Sequence, residues 1–508
     1  VLLLKRSVDG RRRPPRWLAN YRVELTGGEA AEGAVLARKL HGVRRFSARD
    51  ERRHAVDEGH AVRRQAWPSG VRPIIIGAGP AGLFAALRLG EAGAPAVLLE
   101  RGAPVEERHH DVRAFWRRAV LDTESNVVFG EGGAGAFSDG KIYTRRRDGE
   151  LGWIFRRLVD HGADPAVLEE GWAHLGTDRI REILPRLRAR LVELGVEVRF
   201  HACVGGFLVE GGRCVGVRLR SGEELRGGPV LMATGHSARD TWQALIDAGA
   251  AAEQRPIHVG ARVEHPQRLI DEARYGGPRG ELPPASYRLS SRPPGGRVRR
   301  AHTFCMCPGG TIVGASNHPG HVVVNGMSYS GRRAFLANSA VVVEVGPADY
   351  PGDDPLAGAR FQAAIEQQAW RLGGGDFRAP GQRVVDLLTG RGSTELPKVS
   401  HPLGATPTDL RELFPDAIIE GMLAALRHFD RRLPGFAGPD GVLLAPETRT
   451  TAPLRFSRDR QTMQSTTLPG LMPLGEGAGY AGGIVSAALD GYRAAHLLVD
   501  QHCPRLVG

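Results

Sequence analysis

Pro73-Ile74-Ile75-Ile76-Gly77-Ala78-Gly79-Pro80-Ala81-Gly82 is the stretch that decides the fold. Its first four residues form a short apolar run suited to a strand buried on both faces. Glycines then fall at the first, third and sixth positions of a turn, and 83–90 continues with helical apolar spacing. A second apolar run, Ala96-Val97-Leu98-Leu99, ends on Glu100, 18 residues beyond Gly82. Strand, glycine turn, helix and a strand ending in an acid make the opening βαβ unit of a dinucleotide-binding fold. Gly77 permits the tight turn, Gly79 lets the backbone approach a pyrophosphate, and Gly82 lets helix and strand pack closely. The helix start at Pro80-Ala81 offers free N–H groups to phosphate, and the Glu100 carboxylate can accept from both hydroxyls of an adenosine ribose.

Outward from this unit, 177–194 reads as a helix interrupted at Pro185, and 196–200, 206–210 and 215–220 read as strands, with Gly211-Gly212 turning a hairpin. Residues 229–235 form another buried strand ending in glycine. From about 256 the pattern shifts to strands and Pro/Gly-rich loops, with helices expected near 356–372 and 407–429. After about 446 the features of a nucleotide domain return: a strand over 469–474, a glycine-rich loop over 475–483 and a helix over 484–499. Ahead of residue 71, 20–26 reads as a strand and 29–40 as a helix entered through Gly27-Gly28. At 508 residues the chain exceeds what one core normally holds. The expected fold is therefore α/β. A doubly wound nucleotide domain is split between 71–255 and 446–508. An inserted α+β substrate or cap domain spans 256–445, and a small α+β appendage spans 1–70.

Three ordered segments narrow the dinucleotide. The glycine turn with Glu100-Arg101, then Ala233-Thr234-Gly235, then Leu468-Pro469-Gly470-Leu471-Met472-Pro473-Leu474-Gly475-Glu476-Gly477, resemble the FAD signatures of the glutathione-reductase-like flavoprotein superfamily. The closer resemblance, over nearly all of 71–500, is to a family of bacterial FAD-dependent dehydrogenases of largely unassigned substrate. It is carried by 125–141, Gly235-His236-Ser237-Ala238-Arg239-Asp240, Phe304-Cys305-Met306-Cys307-Pro308-Gly309-Gly310, Asn325-Gly326-Met327-Ser328-Tyr329 and Glu447-Thr448-Arg449-Thr450. The resemblance implies FAD as cofactor. Glu476 is the acid that meets the ribityl chain, where Asp is commoner, and Gly482-Gly483-Ile484 open a helix aimed at the flavin pyrimidine edge. Gly132, Gly133, Ala134 and Gly135 wrap the pyrophosphate, and Ser138, Asp139 and Lys141 come near the flavin N5/O4 edge. Arg101, Val204, Ala233, Thr234, Gly235 and Gly475 complete the expected cofactor-binding set. Gly130–Gly135 also fits Gly-x-Gly-x-x-Gly, but no helix and strand-end acid come after it, so it is not read as a second nucleotide fingerprint.

Three residues are candidates for catalysis. Lys141 stands out because the chain holds 64 Arg and only 4 Lys. An ammonium is compact and its pKa falls readily on desolvation, which suits stabilising an anion beside a flavin. Cys305 and Cys307 lie at i and i+2, so on a regular strand both thiols face one side. A bond between them would be strained and easily reduced, as a redox relay requires; the alternative is that both are small packing residues. His302, His318 and His321 lie near this pair, but the spacing fits no common zinc pattern and no metal is expected. His236 reads as a cap or packing residue, and Glu447 and Arg449 as partners of each other or of a hinge.

Composition sets the remaining bounds. The formal net charge is +12, and residues 1–70 hold 16 Lys and Arg against 8 Asp and Glu, so +8 of it lies in the appendage. No RNA- or DNA-binding motif accompanies that charge, and nucleic acid is not the expected partner. Five cysteines fit a reducing compartment. No run approaches the ~18 apolar residues of a membrane helix, and neither a secretory nor a twin-arginine signal is apparent, so the cytoplasm is expected. The function expected is an FAD-dependent oxidoreductase moving a hydride between a small organic substrate and flavin N5, with NAD(P)H as a transient co-substrate. Rivals are a flavin monooxygenase, a tRNA-modifying flavoprotein and a non-catalytic flavoprotein.

Overall fold

The structure is a computed structural model describing residues 2–9, 16–23, 28–40, 43–45, 67–142, 149–168, 174–293, 295–296 and 298–502. Five three-residue strands form one parallel sheet, in the order Leu471–Pro473, Val230–Met232, Ile74–Ile76, Val97–Leu99, Glu197–Arg199. The first four are buried throughout, which explains their unbroken apolar runs: both faces of a parallel sheet are covered. Helices Pro80–Glu91 and Ile484–His502 cover one face together. They approach so closely that a Cβ on Gly491 would lie 1.9 Å from the Ala81 carbonyl oxygen. An antiparallel sheet, Val204–Glu210, Arg213–Leu219 and Glu224–Arg226, belongs to the core on the other face.

Residues 257–447 build a seven-stranded sheet in the order Ser290–Ser291, Ala301–Cys307, Leu336–Val345, Ile257–Pro266, Val442–Glu447, Ala379–Arg383, Ala405–Pro407. It is antiparallel except for its last pair. Helices Ala357–Gly373 and Asp416–Arg432 supply much of the second core. Ala252–Gln254 pairs antiparallel with Leu454–Phe456, so the chain leaves the parallel-sheet unit and returns to it side by side.

Several elements differ from the sequence expectation. Thr177–Glu193 is one helix that runs through Pro185. Its buried stripe of Ile183, Leu184, Leu187 and Leu191 outweighs the ~3 kcal/mol that an interior proline costs. The helix expected over 407–429 begins only at Asp416, after the edge strand Ala405–Pro407 and a short turn of helix at Leu410–Glu412. In the appendage, the strand is Arg16–Arg22, paired with an unforeseen strand Leu2–Asp9, and the helix is Gly28–Ala37. Gly27 and Cys503 lie outside the described residues. Among the described residues, no helix is long and apolar enough to cross a membrane.

Candidate functional site

The carboxyl ends of the parallel strands open into a cleft of about 1560 Å³, whose far wall comes from the seven-stranded sheet. Gly77 comes directly after Ile76 at φ +102°, and a Cβ there would sit 2.5 Å from the Ala233 carbonyl oxygen. A Cβ on Gly82 would sit 1.9 Å from the Gly77 oxygen, so Gly82 serves helix–strand packing and does not line the cleft. Gly79 differs from both. The nearest atom to its Cβ position is Gly133 Cα at 3.9 Å, and that direction faces the cleft. The helix starting at Pro80 has no side-chain cap, which leaves its first N–H groups to the cleft.

Glu100 is buried, and its carboxylate ties the site together. Oε2 accepts from Ala78 N–H at 2.7 Å, and Oε1 accepts from Gly102 N–H at 3.0 Å and Gly130 N–H at 2.9 Å. A carboxylate has about four lone-pair sites. Three are engaged within the protein, which leaves room for one ribose hydroxyl more readily than two. Arg101 lines the same wall, paired with Asp240 at 3.0 Å and Glu124 at 3.4 Å.

The loop 130–135 comes to the glycine turn from the opposite side. Gly133, Ala134 and Gly135 line the cleft, whereas Gly132, at φ +85°, turns toward Leu184. The loop runs into a five-residue 3₁₀ segment, Gly133–Phe137, too short for a second nucleotide-binding helix. The loop is held by Arg108, a fully buried residue that sequence reasoning missed. Its guanidinium donates to the carbonyls of Asn126 (2.8 Å), Glu131 (2.5 Å), Gly133 (2.9 Å), Val127 (3.0 Å) and Gly130 (3.2 Å). Burial lowers its pKa to about 10. One of four arginines in the amphipathic helix Val105–Arg118, it gives no sequence sign of such a role.

Val204, Ala233, Thr234 and Gly235 line the cleft, as do Gly475, Glu476, Gly482, Gly483 and Ile484. Gly235, Gly482 and Gly483 have no atom within 4 Å of a Cβ position, so the cradle is open where the glycines stand. Asp490 fixes the 475 loop, accepting from Gly475 N–H at 2.8 Å while paired with Arg458 at 2.7 Å. Burial, then the nearby Cys305 charge, pushes the Glu476 carboxyl up to about 8.

Ser138, Asp139 and Lys141 reach the cleft together. Lys141 Nζ pairs with Asp139 Oδ2 at 2.9 Å and donates to the Met306 carbonyl, with 26% of its side chain exposed. The expected fall of its pKa does not occur. Burial pulls the value down, but Cys305 and Asp139 outweigh it, and the ammonium is held above its ordinary range. Asp139 in turn lies well below the usual carboxylate range: burial opposes, and Lys141 and His174 prevail. His174 Nε2 lies 2.9 Å from Asp139 Oδ1, and Ser328 donates to the same oxygen.

Cys305 lines the cleft and Cys307 lies buried behind it. They do not occupy a regular strand. Cys305 has φ +45°, and the register shifts between Phe304 and Cys307, so the shared-face geometry expected of i and i+2 is absent. Both are thiols, and Cys307 Sγ donates to the Cys305 carbonyl at 3.3 Å.

Glu447 and Arg449 both line the cleft but do not pair with each other. Glu447 binds Arg262 at 2.9 Å, and Arg449 binds both oxygens of Glu366, each at 2.9 Å. Glu447 Oε2 and both oxygens of Glu366 are taken by different arginines, which separates the two residues. Burial raises Glu447 to about 7 in spite of Arg262. Arg262, buried within Ile257–Pro266, also donates to Asn338 Oδ1 at 2.9 Å and to the Cys305 carbonyl at 2.6 Å. A charge amid an apolar strand was the available signal. His236 is not the helix cap, which is Ala238. It lines the cleft beside Ser237 Oγ at 2.9 Å, and burial lowers its pKa to about 4. His302 packs on His258 at 4.6 Å and His321 on Glu366 at 3.2 Å, so these histidines do not converge with the cysteines.

Residues 256–450 match the family described as FAD-dependent protein, C-terminal domain-like. A protein of Clostridium beijerinckii, described as uncharacterized, is 39% identical over 435 residues, covering 85% of this chain and 81% of that one. Among solved structures, the GidA-related protein of Thermus thermophilus matches with TM-score 0.30 and 13% identity, covering 85% of this chain and 100% of that one. A geranylgeranyl bacteriochlorophyll reductase-like protein of Thermoplasma acidophilum matches with TM-score 0.36 and 14% identity, covering 85% and 78%. At the identity and coverage shared with the Clostridium beijerinckii protein, this chain belongs to that protein's family, and it carries the FAD-dependent protein, C-terminal domain-like region within it.

Proposed function

We propose that the cleft binds FAD and that the protein is an FAD-dependent oxidoreductase acting on a small organic substrate. The observation that carries this reading is the convergence on one cleft of the Gly77–Gly82 turn, Glu100, the 133–135 loop and the Gly475–Ile484 segment. The fit is that of a long ligand with a backbone-bound middle. Gly79, Gly235, Gly482 and Gly483 leave their Cβ directions open, and two helix N-termini meet the same space. A volume of about 1560 Å³ also exceeds the ~300–1,000 Å³ of a single small-molecule pocket. That leaves room for a dinucleotide and a substrate together.

Residues 71–255 with 446–508 are proposed to hold the cofactor, and 256–445 to shape the substrate side. FAD, when bound, supplies hydride exchange at its N5. Gly77, Gly79, Pro80, Ala81 and Gly133–Gly135 would hold the pyrophosphate, Glu100 a ribose hydroxyl, and Glu476 the ribityl chain. Lys141, fixed by Asp139, keeps a positive charge on the wall at every working pH and stabilises negative charge that develops beside it. Glu447 and Glu476, protonated below about 7 and about 8, can hold or release a proton near neutrality. NAD(P)H is proposed as a transient hydride donor, and a reducing, cytoplasmic setting accords with the low cysteine content. The test is direct. The purified protein should be yellow, and heat denaturation should release FAD and not FMN, as read by chromatography. A colourless protein that added FAD cannot reconstitute overturns the reading.

A further inference from the structure

The cleft wall contributed by the seven-stranded sheet carries a thiol that the flavin reading leaves without a task. We propose that Cys305 is a nucleophile and that the site captures conjugated carbonyl compounds, alkenes joined to a C=O group, as thioether adducts. This inference shares the cleft of the flavin reading but requires no flavin chemistry.

The geometry sets Cys305 apart from the other described cysteines. It is the one that lines the cleft, and it does so from a left-handed backbone position, φ +45°, where the ladder shifts register. Such a conformation is unfavourable in a residue other than glycine. Two cations brace it: Arg262 Nη2 donates to the Cys305 carbonyl at 2.6 Å, and Lys141 Nζ donates to the carbonyl of Met306. Cys307 Sγ donates to the Cys305 carbonyl from behind at 3.3 Å. The left-handed turn thus sets Cys305 on the cleft wall, with Arg262 on its own carbonyl and Lys141 on that of the next residue.

The electrostatics agree with that geometry. The thiolate is the reactive form of cysteine. The neighbouring Cys307, then the charges of Lys141 and Arg262, hold Cys305 below an ordinary thiol against burial. Cys307 moves the opposite way, raised by burial, so the two sulfurs divide into a nucleophile and a protonated thiol whose S–H goes to the Cys305 carbonyl. Asp139, on the loop facing Cys305, opposes the thiolate but is neutralised by Lys141 at 2.9 Å. Glu447 and Glu476 face it from the return strand and the glycine loop, and with pKa values of about 7 and about 8 both are largely uncharged in weakly acidic solution.

Lys141 points to the electrophile. An ammonium has three donors; Asp139 and the Met306 carbonyl take two, and Lys141 lines the cleft with 26% of its side chain exposed. A soft nucleophile and an oxygen-seeking donor on one wall suit a molecule with an electron-poor alkene carbon and a carbonyl oxygen. Tyr287, Phe304, Met306 and Pro283 line the same side and fit an apolar body. In the step, Cys305 Sγ forms a bond to the β-carbon, and the alkene electron pair shifts through the α-carbon to leave an enolate oxygen facing Lys141. The α-carbon then takes a proton from solvent. The net change is addition of S–H across the double bond, with no electrons gained or lost.

The experiment uses the full-length protein as purified, with N-ethylmaleimide as probe and peptide mapping as readout. At pH 6.5, Cys305 should be modified at least about tenfold faster than the partly exposed Cys203, whose thiol burial pushes up to about 11. The rate should saturate with probe concentration, and its pH inflection should fall below the ~8.5 of a free thiol. Lys141→Met should slow labelling about tenfold and move the inflection upward, and Lys141→Arg should restore part of both. Labelling of Cys305 no faster than Cys203, an inflection at the ordinary thiol value, or a Lys141→Met rate equal to wild type each overturns the proposal. Flavin absorbance on the same samples separates the two readings. Yellow protein with an inert Cys305 defeats this inference alone, and colourless protein with a fast Cys305 defeats only the flavin reading.

Discussion

In the parallel sheet, strands Ile74–Ile76, Val97–Leu99 and Val230–Met232 end on Gly77, Glu100 and Ala233-Thr234-Gly235, and most of what they offer the cleft is backbone. In the seven-stranded sheet, the strands offer side chains: Cys305 and Glu447 stand on the wall with Arg262 buried behind them. The two sides solve different problems. Binding by backbone requires that Cβ atoms be absent, a condition written locally as a run of glycines. Placing charge in a sheet requires a partner for every buried ion, and the partners lie far apart in sequence, 185 residues for Arg262 and Glu447 and 83 for Glu366 and Arg449. The first side should therefore be broken by added volume and the second by removed charge.

The largest expected effect tests the first half. Gly79→Val places a branched side chain in open cleft, where nothing lies nearer than 3.9 Å to its Cβ. The protein should fold and melt like the wild-type apoprotein yet lose FAD, with the FAD Kd rising at least about ten-thousandfold, which corresponds to some 5.6 kcal/mol or more of binding. Gly77→Val should behave differently. At φ +102° and 2.5 Å from the Ala233 oxygen, it should destabilise the fold itself. If Gly79→Val keeps its flavin, the backbone-recognition half of the comparison fails. Next in size is Arg262→Leu, which strands Glu447 and frees the Cys305 carbonyl. Urea denaturation should show a loss of about 3–5 kcal/mol. Adding Glu447→Leu should recover part of it, since no buried charge then remains unpaired. A double variant as unstable as the sum of its singles contradicts the view that pairing is what this sheet depends on.

The same division explains what could be read in advance. The βαβ opening, the acid at Glu100, the late 471–473 strand and the helix from Ile484 were legible because local spacing specifies them. Most of the residues assigned to the cofactor line the cleft; Gly82 and Gly132 stand behind it, where helix and loop need room. The second sheet was read as little more than strands and loops. Arg262, Glu366 and Arg108 went unnoticed because their meaning lies in partners supplied by distant segments. The local reading of Cys305 and Cys307 as neighbours on a regular strand failed because a bulge and one left-handed residue reset the geometry. Pro185 misled in the same direction: a local rule for helix ends yielded to the buried stripe around it.

A pH-dependent effect of intermediate size sharpens the account of the second sheet. Glu264 is buried with Ser400 as its hydrogen-bond partner, and burial raises its pKa to about 7 although Ser400 opposes. The folded value lies above the unfolded ~4.3, so the folded state binds the proton more tightly. The stability this contributes is present in full below ~4.3 and is lost as the pH rises through about 7. Glu264→Gln keeps the oxygen that Ser400 uses and removes the charge. Its stability relative to wild type should therefore improve between pH 5 and pH 8 by on the order of 2 kcal/mol. A difference independent of pH means that the carboxylate is solvated or paired and that this strand tolerates charge without help.

The smallest expected effect concerns the third region, the appendage before the parallel sheet. Its strand pair Leu2–Asp9 and Arg16–Arg22 has no third strand among the described residues, and Glu32 pairs within the appendage with Arg45 at 3.0 Å. Among the described residues, Leu18 lies at the mouth of the cleft, and the Trp67 ring lies 5.3 Å from that of His502. A chain beginning at Trp67 keeps the Trp67–His502 contact and every strand end that forms the cradle. Flavin per chain should be unchanged and the FAD Kd should stay within about twofold. The formal charge falls from +12 by the +8 that residues 1–66 carry, so solubility near neutral pH should drop, an effect of surface charge and not of the fold. Loss of flavin from a truncated chain that still folds would mean that Leu18 and its strand close the cleft from outside. Recognition would then rest on three regions, and the contrast between a backbone side and a side-chain side would describe only part of the site.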